Sequence, residues 1–194
     1  MKPAGLLLAA GGGRRMGTPK ALVDHPAGGS FVERGVRVLR DGGCSPVIVV
    51  VGAEVARARA LAIEAGADLV VEAPDWEQGQ SASLRAGLST LQDVEADVAC
   101  ILLVDLPDVG AAVLQRVLAA EAAAAGEGRG GLARAAYAGV PGHPVVIGRD
   151  HWPEVLEVAS GDTGARDYLA THRHLLVECG DLATGRDVDT PADL

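Results

Sequence analysis

The residues of this chain best suited to chemistry are three cations that follow a run of glycines. The glycines at positions 11–13 lead directly into Arg14 and Arg15, and Lys20 follows a short distance later. Glycine lets backbone N–H groups approach and surround phosphate oxygens, while nearby cations neutralise the negative charge. The pattern therefore predicts a site for a phosphate-bearing ligand, with a plain glycine turn beside solvated basic residues as the alternative.

Two well-known phosphate-binding loops do not fit these residues. A P-loop needs its lysine directly after a glycine, whereas other residues separate Gly17 from Lys20 here. A dinucleotide fingerprint needs G-x-G-x-x-G at the start of a helix. Counting from Gly11, the sixth position is Met16, and Pro19 lies where that helix should continue. Both kinds of loop are therefore excluded.

What remains is a run of leucine and alanine, the glycines, Arg-Met-Gly at 15–17 and then Lys20. This order resembles the signature of the nucleotidyltransferases that act on the molybdenum cofactor, and of their sugar-nucleotide relatives. The resemblance implies that the loop wraps the triphosphate of a nucleotide, with Arg15 and Lys20 as catalytic residues on its phosphates. The nucleotide-binding residues that it implies in this loop are Ala9, Ala10, Gly11, Gly12, Gly13, Arg15 and Lys20.

Asp105 follows directly on an apolar run at 98–104. A carboxylate at the end of a buried strand costs free energy unless a cation or hydrogen bonds meet it. Mg²⁺ suits this position, since it takes one or two protein carboxylates together with phosphate oxygens. The resemblance agrees, because its members carry a metal-binding aspartate in a similar D-x-P turn, and it implies that Asp105 is both a metal ligand and a catalytic residue. A turn or N-cap aspartate is the alternative, which suits Asp108 better because Gly110 and a predicted helix follow it.

A second pair of carboxylates lies near the end of the chain. Asp187 and Asp189 alternate about Val188, so they share one face of an extended segment. The segment resembles the D-[IV]-D-T-P-x-D element of the same family, and the resemblance places Asp189 near the metal as a second ligand. The alternative is that Asp189 caps a short terminal helix that begins at Pro191.

The stretch at 76–88 mixes a glycine loop with hydroxyl side chains where a helix should begin. Free N–H groups at a helix start, with Ser81 and Ser83, are suited to reading a base edge or a ribose. The resemblance to a G-x-x-x-S-L segment assigns Gly79 and Ser83 to the nucleotide. For Ser81, a simple N-cap is the alternative.

Two further segments resemble the molybdenum-cofactor cytidylyltransferase branch in particular. They are G-H-P at 142–144 and G-D-x-G-A-R at 161–166. The resemblance places His143, Asp162 and Arg166 on the side of the pterin acceptor, where Arg166 would pair with the acceptor phosphate in fork geometry. His143 as an ordinary residue at a strand edge is the alternative. Ala9 and Ala10 stand where guanylyl-transferring relatives tend to have a further glycine, which favours cytosine as the base.

Charge and cysteine usage narrow the class of protein. The formal net charge is −9, which argues against a nucleic-acid partner because such binding rests on a basic surface. Cys44, Cys100 and Cys179 are odd in number and widely spaced, which predicts reduced thiols rather than disulfides, zinc ligands or a nucleophile. Apolar runs fall short of a membrane span and no secretory signal is visible, so we expect a cytoplasmic protein.

Hydrophobic patterning predicts alternating strands and helices. Ser30 is a suitable N-cap for the first helix, and Gly42 a suitable stop. Helices are predicted over 31–40, 54–65, 81–91 and 111–125, and strands over 5–10, 46–51, 68–71 and 98–104. The alternation predicts an α/β fold with a doubly wound, mostly parallel sheet and helices on both faces.

The resemblance covers essentially the whole chain and implies the Rossmann-like sheet of nucleotide-diphospho-sugar transferases. Residues 1–194 are predicted to form a single domain, with a nucleotide-binding half at 1–125 and an acceptor-binding half at 126–194. Ligands of such sheets gather at the carboxyl ends of the strands.

The implied reaction is Mg²⁺-dependent transfer of CMP from CTP to the terminal phosphate of molybdopterin, with release of pyrophosphate. A molybdoenzyme or its maturation chaperone is the implied protein partner, and neither a membrane nor nucleic acid is expected to bind. A guanylyltransferase of the same cofactor, an enzyme acting on a sugar or polyol phosphate, and a non-catalytic carrier of nucleotide or cofactor remain as alternatives.

Overall fold

The computed structural model describes residues 1–25, 28–124 and 130–194. Within these ranges a single seven-stranded sheet has the order β3-β2-β1-β4-β6-β5-β7. The strands are β1 (Pro3–Ala9), β2 (Val47–Val51), β3 (Leu69–Glu72), β4 (Val98–Leu103), β5 (Leu132–Tyr137), β6 (Val140–Gly148) and β7 (Leu175–Glu178). The helices are α1 (Phe31–Asp41), α2 (Val55–Glu64), α3 (Gln80–Leu91), α4 (Ala111–Ala124), α5 (Trp152–Val158) and α6 (Arg166–Thr171).

The predicted α/β fold with a mostly parallel sheet is confirmed, and the predicted elements agree within one or two residues at their ends. The last residue of the predicted helix over 111–125 lies outside the described residues. So does the proposed division at 125/126, which stays a prediction.

Local sequence accounts well for α1 and β2. The Ser30 backbone N–H donates to Glu33 Oε2 at 2.6 Å and the Glu33 N–H donates to Ser30 Oγ at 3.3 Å, which forms a capping box. Gly42 follows the helix as its C-cap. In β2 every side chain is fully buried, as expected for a β-branched strand with neighbours on both faces of a parallel sheet.

One strand runs against the others. β6 is antiparallel to both β4 and β5, whereas the pairs among β1, β2, β3 and β4 are parallel. A tight hairpin joins β5 to β6 through Ala138 and Gly139, whose φ values are +51° and +79°. Positive φ at both central residues is typical of a two-residue hairpin, and a hairpin requires antiparallel strands.

The core forms one apolar layer on each face of the sheet. One layer includes Phe31, Leu39 and Leu114, which come from α1 and α4. The other includes Leu84 and Trp152, which come from α3 and α5. The three cysteines are free and buried within these layers, and none of the described helices has the length and apolar character that crossing a membrane requires.

Candidate active site

A cleft of about 660 Å³ opens where β1 and β4 end. β1 and β4 are parallel neighbours at the centre of the sheet. After β1 the chain adds β2 and β3 on one side, and it then returns to add β4 on the other side of β1. Such a point of reversal is where open α/β sheets bind their ligands. The predicted site residues that line the cleft are Ala10, Gly11, Gly12, Gly13, Arg15, Lys20, Gly79, Ser83, Asp105, Asp162 and Arg166. Ala9 is instead buried within β1 and does not line the cleft.

The glycine loop turns back on itself at Gly13. Its carbonyl oxygen accepts from the N–H groups of Met16 and Gly17, each at 2.9 Å. Gly13 has φ +59°, and a Cβ atom there would lie 1.9 Å from the carbonyl oxygen of Thr18, so only glycine fits this position. In the described part of the chain, no carbonyl accepts from the N–H groups of residues 11–13. These N–H groups are therefore available to donate hydrogen bonds to a ligand.

Lys20 lies between two carboxylates. It begins a 3-10 turn, Lys20–Leu22, that the buried Ala21 anchors. Lys20 Nζ donates to Asp105 Oδ2 at 2.7 Å and to Asp189 Oδ1 at 2.6 Å, and the lysine side chain is only 17% exposed. Burial alone would lower the pKa of Lys20, but the hydrogen bonds and charges of the two aspartates outweigh it and raise that pKa. The lysine is therefore held as a cation.

Arg15 approaches the same group from the solvent side. Its Nη1 lies 2.8 Å from Asp189 Oδ2, and the arginine side chain is 73% exposed. The hydrogen bond from Lys20 and the charges of Lys20 and Arg15 hold the pKa of Asp189 below its usual range. Arg15, Lys20, Asp105 and Asp189 thus form one cluster of alternating charge.

A third carboxylate completes an acidic group. Asp105, Asp187 and Asp189 each offer an oxygen, and these atoms lie within 4.8 Å of one another. Asp105 Oδ1 is buried and has no hydrogen-bond partner among the described residues. A divalent cation would satisfy that oxygen, so this donor set fits Mg²⁺ or Mn²⁺. The sequence placed Asp187 on the face of Asp189 through their alternation, but gave it no role.

Backbone and side-chain contacts fix the terminal segment against β4. The Val188 N–H donates to the carbonyl oxygen of Asp105 at 2.9 Å. Asp108 Oδ2 accepts from both the N–H and the hydroxyl of Thr184, each at 2.6 Å, and so ties this segment down rather than only preceding a helix. The last turn has Thr190, not Asp189, as its N-cap. The capping alternative for Asp189 is therefore wrong, because Thr190 already supplies the hydroxyl.

Across the cleft, Gly79 and Ser83 lie at the start of α3. Ser81 is not the N-cap, because α3 begins at Gln80 after Gly79. Instead its buried hydroxyl accepts from the Gly164 N–H at 3.1 Å, which ties α3 to the G-D-x-G-A-R segment. Ser81 is fully buried, so it cannot read a nucleotide.

Trp76 lines the cleft as well, although its position in the sequence predicted no role for it. Its indole covers the backbone of two glycines that lead into the cleft, since a Cβ atom on Gly12 or Gly52 would meet the ring at 2.9 or 2.5 Å. The available signal was a tryptophan, one of two in a chain with few aromatic residues, close to Gly79. The ring supports the loop and presents part of its surface to the cleft.

His143 does not face the cleft itself. It lines an adjoining cavity of about 50 Å³, called the inner pocket below, whose lining residues are Leu8, Gln80, Leu84, Ile101, Arg134, His143, Val145, Thr163, Gly164, Ala165, Arg166 and Leu169. Burial, with the charges of Arg134 and Arg166, lowers the pKa of His143 to about 3. Its imidazole is therefore neutral at physiological pH, and Arg166 lines both spaces.

A family model described as a MobA-like NTP transferase domain matches residues 5–176. The chain belongs to this family. The Rossmann-like sheet, the glycine loop and the acidic group described above are therefore parts of a MobA-like nucleotidyltransferase domain.

Individual relatives carry different names. Nicotine blue oxidoreductase of Paenarthrobacter nicotinovorans is 34% identical over 96% of this chain and 91% of its own length. A probable molybdenum cofactor guanylyltransferase of Opitutus terrae is 38% identical over 56% of this chain and 50% of that protein. Among solved structures, Rv0371c of Mycobacterium tuberculosis superposes with a TM-score of 0.79 at 29% identity, covering 100% of this chain and 95% of that one. A structure of Rv0371c in complex with manganese has a TM-score of 0.75, 27% identity and coverage of 100% and 96%.

Proposed function

We propose that this protein transfers a nucleoside monophosphate, most favourably CMP from CTP, to the terminal phosphate of molybdopterin and releases pyrophosphate. The observation that carries the proposal is the position of Lys20, which lies between Asp105 and Asp189 beside a loop of free N–H groups. A nucleoside triphosphate supplies the negative charge that this loop and its cations can bind. The carboxylates suited to hold a metal ion, Asp105, Asp187 and Asp189, lie at the same place.

The mechanism needs alignment and charge neutralisation rather than a base. A phosphate nucleophile is already ionised at neutral pH, and its oxygen attacks the α-phosphorus while the bond to the pyrophosphate oxygen breaks. Free N–H groups of the glycine loop, with Arg15 and Lys20, stabilise the charge that grows on the leaving oxygens. A divalent ion held by Asp105, Asp187 and Asp189 would add further neutralisation of the phosphates.

Finer points of the proposal rest on separate observations. Mg²⁺ as the ion is supported by the all-carboxylate donor set, and by the manganese complex of Rv0371c. The molybdopterin acceptor is supported by the relatives named molybdenum cofactor guanylyltransferase. Cytosine rather than guanine as the base is supported by Ala9 and Ala10 at the start of the loop, and a cytoplasmic location is part of the same proposal.

Pyrophosphate release tests the proposal. The purified protein is incubated with CTP, GTP, ATP or UTP and Mg²⁺, with and without molybdopterin. We expect release with CTP that depends on molybdopterin and stops when EDTA removes the metal. Release that requires a sugar or polyol phosphate instead would move the protein to that alternative acceptor, and preference for GTP would make it a guanylyltransferase. Nucleotide binding without release under any condition would identify a carrier and overturn the proposal.

A second candidate follows from the relative matched over most of the chain, which is named an oxidoreductase. The glycine loop lacks the dinucleotide fingerprint, but a cleft suited to phosphates would also accept the pyrophosphate of a nicotinamide dinucleotide. Oxidation of NADH or NADPH by the protein with a redox dye as acceptor measures this activity. Dye-dependent oxidation that is lost in Lys20→Ala would favour the oxidoreductase, and its absence beside pyrophosphate release would favour transfer.

A further inference from the structure

Arg134 is a cation that the mechanism above does not use. It lies on β5, directly opposite Val145 of β6. Alternate residues of a strand share a face of the sheet, so His143 lies on the same side as Val145. Both Arg134 and His143 line the inner pocket, together with Arg166 from the start of α6.

Most of the Arg134 guanidinium has no partner within the protein. Its Nε donates to the carbonyl oxygen of Gly142 at 3.2 Å. Across residues 1–25, 28–124 and 130–194, no other hydrogen bond and no ion pair holds this side chain. A guanidinium carries five N–H donors in a planar fork, so both Nη groups keep their donors for a further partner. That fork matches a carboxylate or a phosphate in a bidentate arrangement.

The charge of the inner pocket is also uncompensated. No described carboxylate forms an ion pair with Arg134 or Arg166. Burial, together with the charge of Arg166, lowers the pKa of Arg134. Holding two cations near each other in a half-buried space without a counter-charge costs free energy. An anion that enters from outside would remove that cost.

Size and position restrict what can enter. The cavity of about 50 Å³ has apolar walls that include Leu84 and Leu169. Three of its lining residues, Leu8, Gln80 and Arg166, also line the cleft, so the two spaces adjoin. A space of this size holds a few water-sized groups, which suits a phosphate or a carboxylate but not a nucleoside.

Building on the proposed function, we propose that the inner pocket binds an oxyanion carried by the acceptor substrate. Arg134 is its main ligand and a specificity-determining residue. Arg166 contributes the second cation at the mouth of the pocket. His143 stays neutral and offers a ring nitrogen, which has no hydrogen-bond partner in the described part of the chain. The reacting phosphate of the acceptor then lies in the cleft, while a second anionic group of the acceptor occupies the inner pocket.

Binding of inorganic phosphate, followed at the imidazole of His143, tests the subsite without any turnover. The ring resonances are assigned by comparison with His143→Gln, and phosphate and malonate are titrated separately at neutral pH in the presence of EDTA. We expect the His143 resonances to shift on addition of at least one of the two anions. A larger response to phosphate identifies a phosphate subsite, and a larger response to malonate identifies a carboxylate subsite.

Four variants decide whether that shift reports Arg134. In Arg134→Gln the apparent dissociation constant should rise roughly 10- to 100-fold, the loss expected for hydrogen bonds to a charged group. Arg134→Lys keeps the charge without the planar fork, so its apparent dissociation constant should lie between those of Arg134→Gln and the wild type. Arg57→Gln removes an exposed arginine of α2 and should leave the titration unchanged, as should Lys20→Ala in the cleft. An unchanged titration in a folded Arg134→Gln protein would overturn the proposal.

Kinetics then separate this proposal from the proposed function. With an active acceptor, Arg134→Gln should raise the KM for the acceptor at least tenfold while the KM for the nucleotide changes little. A rise confined to the nucleotide KM would assign the pocket to the nucleotide and overturn the proposal. If no acceptor is nucleotidylated by the wild type, the proposed function fails, and the phosphate titration still decides the subsite.

Discussion

The cleft and the inner pocket both gather cationic side chains, but only the cleft meets them with carboxylates. In the cleft, Lys20 and Arg15 share Asp189, and Lys20 also bonds to Asp105. In the inner pocket, Arg134 and Arg166 lie together around a neutral His143, with no described carboxylate paired to either. The two spaces adjoin, but the cations are paired with carboxylates in the cleft and unpaired in the inner pocket.

The difference teaches how each region can respond to a ligand. A compensated cluster exchanges partners, since a nucleotide and its metal can take over both the cations and the carboxylates without leaving a charge bare. An uncompensated pair of guanidinium groups can only gain a partner. We therefore expect the cleft to bind a phosphate ligand together with its metal ion, and the inner pocket to bind an anion alone.

The largest expected effect is on turnover, through Lys20. Lys20→Ala removes the buried cation between Asp105 and Asp189, and the rate of nucleotidyl transfer should fall about 10²- to 10³-fold, as for loss of one preorganised group at a developing charge. Circular dichroism should show an intact fold. Lys2→Ala, at the chain's other lysine, is the matched control because its partner Glu95 is exposed. Near-normal turnover in Lys20→Ala would break the comparison at its strongest point.

The next effect concerns the metal. Asp187→Asn removes one of three clustered carboxylates, and the dissociation constant for Mn²⁺ should rise roughly tenfold, because affinity follows the charge and number of oxygen ligands. Isothermal titration with Mn²⁺ alone measures it. Asp93→Asn, in an exposed turn after α3 and outside this cluster, should bind Mn²⁺ as the wild type does. Equal affinity in Asp187→Asn would remove this residue from the metal group.

Arg15 should matter less than Lys20, although both contact Asp189. Its guanidinium is largely exposed, and exposed ion pairs contribute about 0–1 kcal/mol. The KM for the nucleotide in Arg15→Ala should therefore rise up to about fivefold. Arg14→Ala, its exposed neighbour without an ion pair among the described residues, is the control and should change the KM less. A loss in Arg15→Ala as large as that of Lys20→Ala would show that burial does not set the difference.

The smallest effect is on stability, and it tests the uncompensated inner pocket. His143 takes up a proton only near pH 3 in the folded protein, against its ordinary pKa of 6.5 in the unfolded chain. The unfolded state therefore binds more protons between these values, and stability falls as pH drops below about 6.5. The Tm of the wild type should thus decline more between pH 7 and pH 5 than that of His143→Gln. Equal declines in the two proteins would show that His143 titrates normally.

Much of the fold and part of the site could be predicted because the signals are local. The capping box of Ser30, the β-branched run of β2 and the glycine at position 13 each depend on neighbours within a few residues. Asp105 could be placed as well, since the end of a buried strand leaves a carboxylate only a few possible surroundings. Interactions between residues this close in sequence can be predicted from the sequence alone.

Other features depended on segments far apart in the chain. Lys20 and Asp189 are 169 positions apart, and Ser81 meets Gly164 across 83 positions, so no window of sequence pairs them. Packing of the terminal segment likewise decides that Thr190 pairs with Asp193 and that Asp189 contacts Lys20.

The sequence by itself determined the alternating elements, the glycine loop and the carboxylate after β4, because periodicity, glycine conformation and strand ends act over short distances. Only the tertiary structure decided which charges neutralise one another and which stay bare. The antiparallel hairpin of β5 and β6 brings Arg134 beside His143, and that neighbourhood exists only once the sheet has formed.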